Sequence, residues 1–548
     1  MITRYTLYLL GVICFLSGFG QQDQPPSGEI EDAQIIIEKD KPLTLPKAAR
    51  IYQKSPLKPV TDDTIALNYS LSEPQILLQT LPFVPKIKGY ESGDSEINQN
   101  NYVKFGFGNY LSPLLQAYVG RELSEGNSVG AYAFHESFAT GPVRKEESAY
   151  GDTRVDVIAR LTNESLTFDP LIEFERESFY YYGYAEGATT EVSDKVGLNQ
   201  FLLTSPITFT PSDEVLIQFI PTFQSVTMGT GNGAFNQDNG VDLSLKGSYQ
   251  INDGLTAYGG IEFETWKYTS GFSSSRNVFN LNPGVIYSNE VLSLKAGALI
   301  AIGKDDSTSG VNVYPDAAID FSITDQLGLF VEASGGLNTT NLDDLRRQNR
   351  YLDDSLSLLN VNDKIRIKGG VNYAIRPDLI IEPFVEYSLS TYQSLFYHSV
   401  ADSARFAIGY DSEGIGTTNF GATVRLINKK SNLVGQMIIS SYQTNEVAEP
   451  WYLPTTQLKV NYTQQLTKSI QLTSGINVLQ GIKAPSPLDA EVIDLPTVFD
   501  WSASGKYKID DQWSAFVQIN NLLGINYERY LNYPVRGFTG KVGVIWRF

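Results

Sequence analysis

Leu379-Ile380-Ile381-Glu382-Pro383-Phe384-Val385-Glu386-Tyr387-Ser388-Leu389 sets Leu379, Ile381, Pro383, Val385, Tyr387 and Leu389 on one side of an extended chain. Ile380, Glu382, Phe384, Glu386 and Ser388 fall on the other. Successive side chains of a strand point to opposite faces, so a period of two reads as a strand with one apolar and one mixed face. The pattern recurs upstream. Leu255, Ala257, Gly259, Ile261 and Phe263 alternate with Thr256, Tyr258, Gly260, Glu262 and Glu264, and Leu327, Leu329, Val331 and Ala333 alternate with Gly328, Phe330, Glu332 and Ser334. An apolar face of this kind packs on a second sheet in a soluble sandwich, or meets lipid in a membrane barrel.

Composition narrows the choice. The 548 residues include 32 Tyr, 28 Phe and 46 Gly, and only 19% are charged, which suits strands and tight turns better than helices or disorder. The formal charge of −19 excludes nucleic acid as a partner, because a phosphate backbone needs a Lys/Arg footprint. The lone cysteine, Cys14, rules out a disulfide framework and a thiolate metal site. It lies in a short apolar run (6–16) that follows Arg4 and precedes Ser17-Gly18-Phe19-Gly20, the layout of a secretory signal peptide over residues 1–20. No later stretch is long and apolar enough for a transmembrane helix.

The connections point to a barrel. Short polar turns at 124–127, 163–165, 211–214, 252–254, 288–290, 324–326, 376–378, 429–432, 467–469 and 510–512 alternate with longer, less regular stretches at 138–150, 186–196, 229–239, 337–363 and 481–495. Tight turns on one side and long loops on the other are the asymmetry of outer-membrane barrels. Ten turns and eleven outer connections make about 22 antiparallel strands across residues 100–548, an all-β transmembrane barrel preceded by an irregular extension over residues 21–99.

The carboxy terminus carries the most specific signal. Lys541, Gly543, Trp546 and Phe548 close the chain in a pattern that resembles the barrel-assembly signal of bacterial outer-membrane proteins. The preceding stretch adds Asn520-Asn521-Leu522-Leu523, then Tyr527, Tyr533-Pro534 and Arg536-Gly537, and from Trp513 to Phe548 it resembles the end of TonB-dependent receptor barrels. Gly20-Gln21-Gln22 resembles the start of exported proteins of Bacteroidota. The resemblance implies 22 strands, an outer-membrane location, insertion by the barrel-assembly machinery and contact with outer-membrane lipid. It also implies a plug ahead of the barrel. Residues 21–99 depart from that expectation, being polar and punctuated by proline without a compact Gly-rich pattern, so a barrel lacking the plug is expected.

A wide barrel leaves a lumen to fill. The strand reading puts Glu173, Glu175, Glu177, Glu262, Glu264, Glu332, Glu382 and Glu386 on the lumenal face. Lys39, Lys41, Lys47, Arg50, Lys54 and Lys58 form a basic segment suited to threading among these carboxylates. Leu345-Arg346-Arg347-Gln348-Asn349-Arg350-Tyr351-Leu352-Asp353-Asp354 lies in the longest outer loop, where it either forms a short surface helix that binds a partner or folds over the barrel mouth, or remains a solvated loop.

No catalytic, cofactor or metal constellation emerges. His135 and His398 fall near the outer rim without a nucleophile placed to use them. Residues 236–242 have the flavour of a calcium loop, but Gly247 stands where the bidentate Glu belongs. Tyr180-Tyr181-Tyr182-Gly183-Tyr184 reads as part of the aromatic girdle at the lipid headgroups, with a sugar-stacking platform as the alternative. The expected role is not enzymatic: a structural or accessory subunit of a multi-protein outer-membrane assembly, with protein partners at the tail or outer loops. The alternative is a passive or partner-plugged nutrient transporter.

Overall fold

A computed structural model describes residues 101–185, 195–230, 233–487 and 491–548. The segment expected to be a signal peptide, residues 21–99 and the basic segment from Lys39 to Lys58 lie outside the described residues.

Twenty-two antiparallel staves close into a barrel, each paired to its neighbours in the chain. Closure is made by the first and last strands, Tyr102–Gly108 and Thr539–Arg547, in continuous register from Tyr102↔Arg547 to Gly108↔Lys541. Two staves are interrupted, between Phe168 and Leu171 and between Thr204 and Ile207. Pro170 and Pro206 sit at the breaks, where a residue without an N–H cannot continue the ladder. Their carbonyls stay in use: Pro170 O accepts from Ala159 N at 3.1 Å and Pro206 O from Asp169 N at 2.9 Å.

Every stave turns its apolar row outward. Phe105, Phe107, Val155, Val157, Ile172, Phe174, Ile261, Phe263, Leu329, Val331, Val385 and Tyr387 are exposed, while the residues between them face inward. A soluble fold would bury these rows, so the exposed face is the lipid-facing belt of a membrane barrel. No helix among the described residues is long and apolar enough to span a membrane, so the strands do the crossing.

All ten short turns occupy the expected positions, and the eleven opposite connections include the long ones. One expectation is corrected. Residues 229–239, read as an irregular outer loop, are mostly strand: Val215–Thr230 and Gly233–Asn252 pair up to Gly233↔Thr230. Its polar residues misled because they alternate: Asn236 and Asp238 point into the mouth, where both are fully buried and partnered.

The closing seam explains the glycine of the terminal pattern. Gly106 and Gly543 face each other in register beneath the Phe516 ring. A Cβ on Gly543 would run into the Phe105 carbonyl oxygen and come within 2.6 Å of that ring. Lys541 is inward and buried, paired with Glu136, whereas Val542, Val544, Trp546 and Phe548 face outward. Trp546 stacks between Trp513 (6.2 Å) and Phe548 (4.6 Å) in an aromatic girdle at the short-turn end.

Gly543→Val is expected to prevent seam closure rather than merely loosen it, since overpacking typically costs ~1–3 kcal/mol even where neighbours can yield. The heat-modifiable folded band on SDS gels should be lost for Gly543→Val and kept for Val542→Ile, whose side chain faces lipid.

Candidate functional site

The described residues of the long connections do not spread away from the barrel. They fold together over its mouth and share one hydrophobic core with the upper barrel wall. Wall residues Phe179, Leu198, Met228, Tyr268, Ile415 and Val498 belong to the same buried cluster as loop residues Leu345, Leu352, Leu395, Phe406, Tyr452 and Tyr530.

The centre of this cap is the connection between Leu327–Asn338 and Val361–Arg376, which contains the only α-helix among the described residues, Leu342–Gln348. Asn341 starts it as an N-cap, its side chain accepting from Asp344 N at 2.9 Å. Leu342 and Leu345 bury their side chains completely, which fixes the face presented to the cluster. The wall reaches up to hold the first turn: Asp238 Oδ2 accepts from Leu342 N at 2.9 Å, while Asp238 Oδ1 pairs with the fully buried Arg276 at 2.5 Å.

Arg346 makes the main anchor. Its guanidinium forks onto Glu175, with Nη1–Oε1 at 3.3 Å and Nη2–Oε2 at 3.0 Å. It also lies 3.5 Å from Glu177, donates from Nε to Asp343 Oδ1 at 2.6 Å and reaches Gln200 Oε1. Arg347 adds a 3.2 Å bond to Glu175, and Arg350 sits 3.9 Å from Glu177 with its guanidinium 4.5 Å from the Tyr150 ring centre. Glu173 is served instead from the wall, by Arg154 at 2.8 Å. Loop arginines thus neutralise the buried carboxylates of Glu175 and Glu177. Fork-shaped charge-assisted bonds of this kind are both strong and directional.

The other acidic residues also lie opposite the lipid-facing rows. Glu262 accepts from Asn280 at 3.3 Å, Glu264 from the Thr339 hydroxyl of the cap loop, and Glu386 from Asn419 at 3.1 Å. Glu382 pairs with Arg425 at 3.2 Å and Lys368 at 3.6 Å, and Glu332 stands in register with Lys368.

An aromatic layer ties the loops to one another. Tyr181 donates to Leu352 O and Tyr530 to Gln348 O, both at 2.6 Å, and Tyr533 donates to Ala404 O. The Tyr351 and Tyr533 rings stack at 3.6 Å. The tyrosine run expected at the lipid headgroups is therefore corrected: Tyr181 is fully buried, and Tyr182 and Tyr184 pack against the same cluster. A run of tyrosines satisfies a headgroup girdle and a loop core equally well by composition, so sequence does not separate the two.

Two titratable groups lock the flanking connections. Burial acts to raise the carboxyl of Asp411, but backbone N–H groups of Asn445, Glu446, Gly414 and Val447 outweigh it and hold it below its ordinary value. His398 lies 4.6 Å from the Phe406 ring, with Nδ1 2.6 Å from Ser403 O, and its burial lowers the ring's affinity for a proton. His135 bonds Thr153 Oγ1 at 2.8 Å. Both histidines are engaged in structural contacts.

No protein-family model matches the sequence, and no curated protein does. Solved structures do. The FrpB iron transporter of Neisseria meningitidis aligns with a TM-score of 0.64 at 8% identity, over 82% of this chain and 81% of that one. The ferric-catecholate import receptor Fiu of Escherichia coli K12 aligns at 0.62 and 9%, over 82% of each. The siderophore receptor PiuA of Acinetobacter baumannii aligns at 0.60 and 8%, again over 82% of each. At such identities the likeness is one of fold, and that fold is the 22-stranded barrel of outer-membrane receptors.

Removing Arg346 leaves Glu175 buried without its fork. Arg346→Met should cost about 3–5 kcal/mol of loop docking, read as at least a hundredfold faster hydrogen exchange of amides 342–352, with barrel-strand exchange unchanged. Combining it with Glu175→Met should restore much of the protection, because an apolar pair needs no counter-ion.

The His398 ring also sets a pH dependence. Its folded pKa lies below its ordinary 6.5, so its contribution is full above that value and is lost as pH falls below about 6.5. Protease cleavage of the 392–414 connection should therefore rise on acidification, and His398→Gln should flatten that response.

Proposed function

We propose that this chain is an outer-membrane uptake receptor whose loop cap forms the outer gate of the transport path. The carrying observation is the clasp of Arg346 and Arg347 on Glu175. A loop helix held by ion pairs to the lumenal wall can be released by a ligand that competes for either side. A permanently open pore needs no such device. A purely structural barrel gains nothing from placing buried charges, costly to desolvate, at a loop–wall contact.

Likeness to import receptors for iron chelates supports a small, metal-chelating nutrient as cargo. The three arginines of the loop, set beside tyrosines, suit an anionic, ring-bearing chelate through charge and stacking. The accessory-subunit role expected from sequence rested on the composition of residues 21–99, and no contact among the described residues favours it over transport.

A tether across the gate tests this. Gln224 Nε2 donates to Asp343 Oδ2 at 2.9 Å, joining the wall to the loop helix. Gln224→Cys with Asp343→Cys, joined in cells by a short bis-methanethiosulfonate cross-linker, should abolish uptake of radiolabelled ferric catecholate under iron limitation, and reduction of the cross-link should restore it. Undiminished uptake by the tethered protein, or equal uptake by cells lacking the chain, overturns the proposal.

A further inference from the structure

The strands of the closing seam are too short to cross the hydrocarbon. An apolar band is about 25 Å tall and a strand tilted by roughly 40° gains about 2.5 Å of height per residue, so about ten residues are needed. Tyr102–Gly108 has 7, Trp513–Asn520 has 8 and Thr539–Arg547 has 9. Gly233–Asn252, elsewhere in the same barrel, has 20.

The outward rows nevertheless continue past the strand ends. The row Trp546, Val544, Val542 extends beyond Gly540 to Phe538, and the row Trp513, Val517 extends to Leu523 and Ile525. Beyond Phe105 and Phe107 comes Leu111 in the tight 109–111 connection. Leu111 is 64% exposed, Leu523 54%, Phe538 44% and Ile525 39%. All four are large apolar side chains on irregular backbone next to the belt.

Irregular backbone is tolerated at membrane depth only where protein rather than lipid covers it, so its polar groups must be answered from the protein side. Two asparagines do this here. Asn521, itself buried and held at φ 46°, donates from Nδ2 to Ile525 O at 2.8 Å and Arg536 O at 2.9 Å, while its Oδ1 accepts from Ile525 N at 3.1 Å. Asn109 donates from Nδ2 to Phe538 O at 2.8 Å and accepts at Oδ1 from Gly540 N at 2.9 Å. Leu522 N and Gly524 N find Trp501 O and Asn521 O at 2.7 and 2.9 Å. The loop turns its backbone bonds inward and its apolar side chains outward.

We infer that the 109–111 turn and the two strand-proximal ends of connection 521–538 are embedded in the outer leaflet, completing the lipid-facing belt where the seam strands stop short. The occupant of this patch is the acyl-chain region of the bilayer. Continuity with the belt identifies it, as does the shortfall of about one to three residues per strand, which the loop side chains make up. The seam is thereby anchored on both sides of the membrane: by Trp513, Trp546 and Phe548 at one end and by this loop foot at the other.

Nitroxide labels on the full-length protein in phospholipid vesicles, in a Cys14→Ser background, test it. Leu523→Cys and Phe538→Cys should show the high oxygen and low nickel-chelate accessibility of Val544→Cys in mid-belt. Val400→Cys, at the fully exposed tip of the cap, should show the reverse, with an oxygen-to-nickel ratio severalfold lower. Adding Asn521→Ala should shift the Leu523 label toward the aqueous value, because the freed carbonyls seek water. Labels at 523 and 538 that match Val400 in vesicles containing only this protein overturn the inference, and would leave another protein as what covers the patch. The readout is independent of transport, so its failure does not touch the gate.

Discussion

Closure governs this molecule. In hydrocarbon no water satisfies an unpaired N–H or C=O, so a sheet that crosses a membrane must have no edges. The seven register pairs between Tyr102–Gly108 and Thr539–Arg547 remove the last edge, and they need Gly106 opposite Gly543 so that the Phe516 ring can lie across the joint. Everything else follows from a closed wall: apolar rows forced outward, polar rows forced inward, and a lumen whose charges must be answered from inside.

The answer comes from the long-loop side. Buried carboxylates on Leu171–Phe179 would repel one another if left unpaired. The helix at Leu342–Gln348 carries its arginines to them, and the aromatic cluster shared by several connections holds that helix in place. Electrostatics and packing thus act on one element. The desolvation cost of the charges makes the docked state depend on both partners, which suits a gate better than a scaffold.

Much of this was legible beforehand. Period-two alternation, ten tight turns and the terminal Lys541-to-Phe548 pattern lead to a barrel of about 22 strands, because a strand's faces and a turn's chemistry are local properties. Local reading faltered where polar residues alternate inside a strand, as at Asn236 and Asp238, and where tyrosines serve two environments, as at Tyr181. The arginines of the longest loop were visible as a basic run, but whether they meet water or glutamates 170 positions away is not written in their neighbours.

Sequence by itself determined the architecture, since alternation, turn spacing and seam residues each act within a few positions. Only the tertiary structure decided that the outer connections form a packed cap, that Arg346 and Arg347 rather than solvent face Glu175, and that Leu523 and Phe538 extend the belt. Those outcomes depend on which distant segments the closed wall brings together, and proximity across a barrel has no signature along the chain.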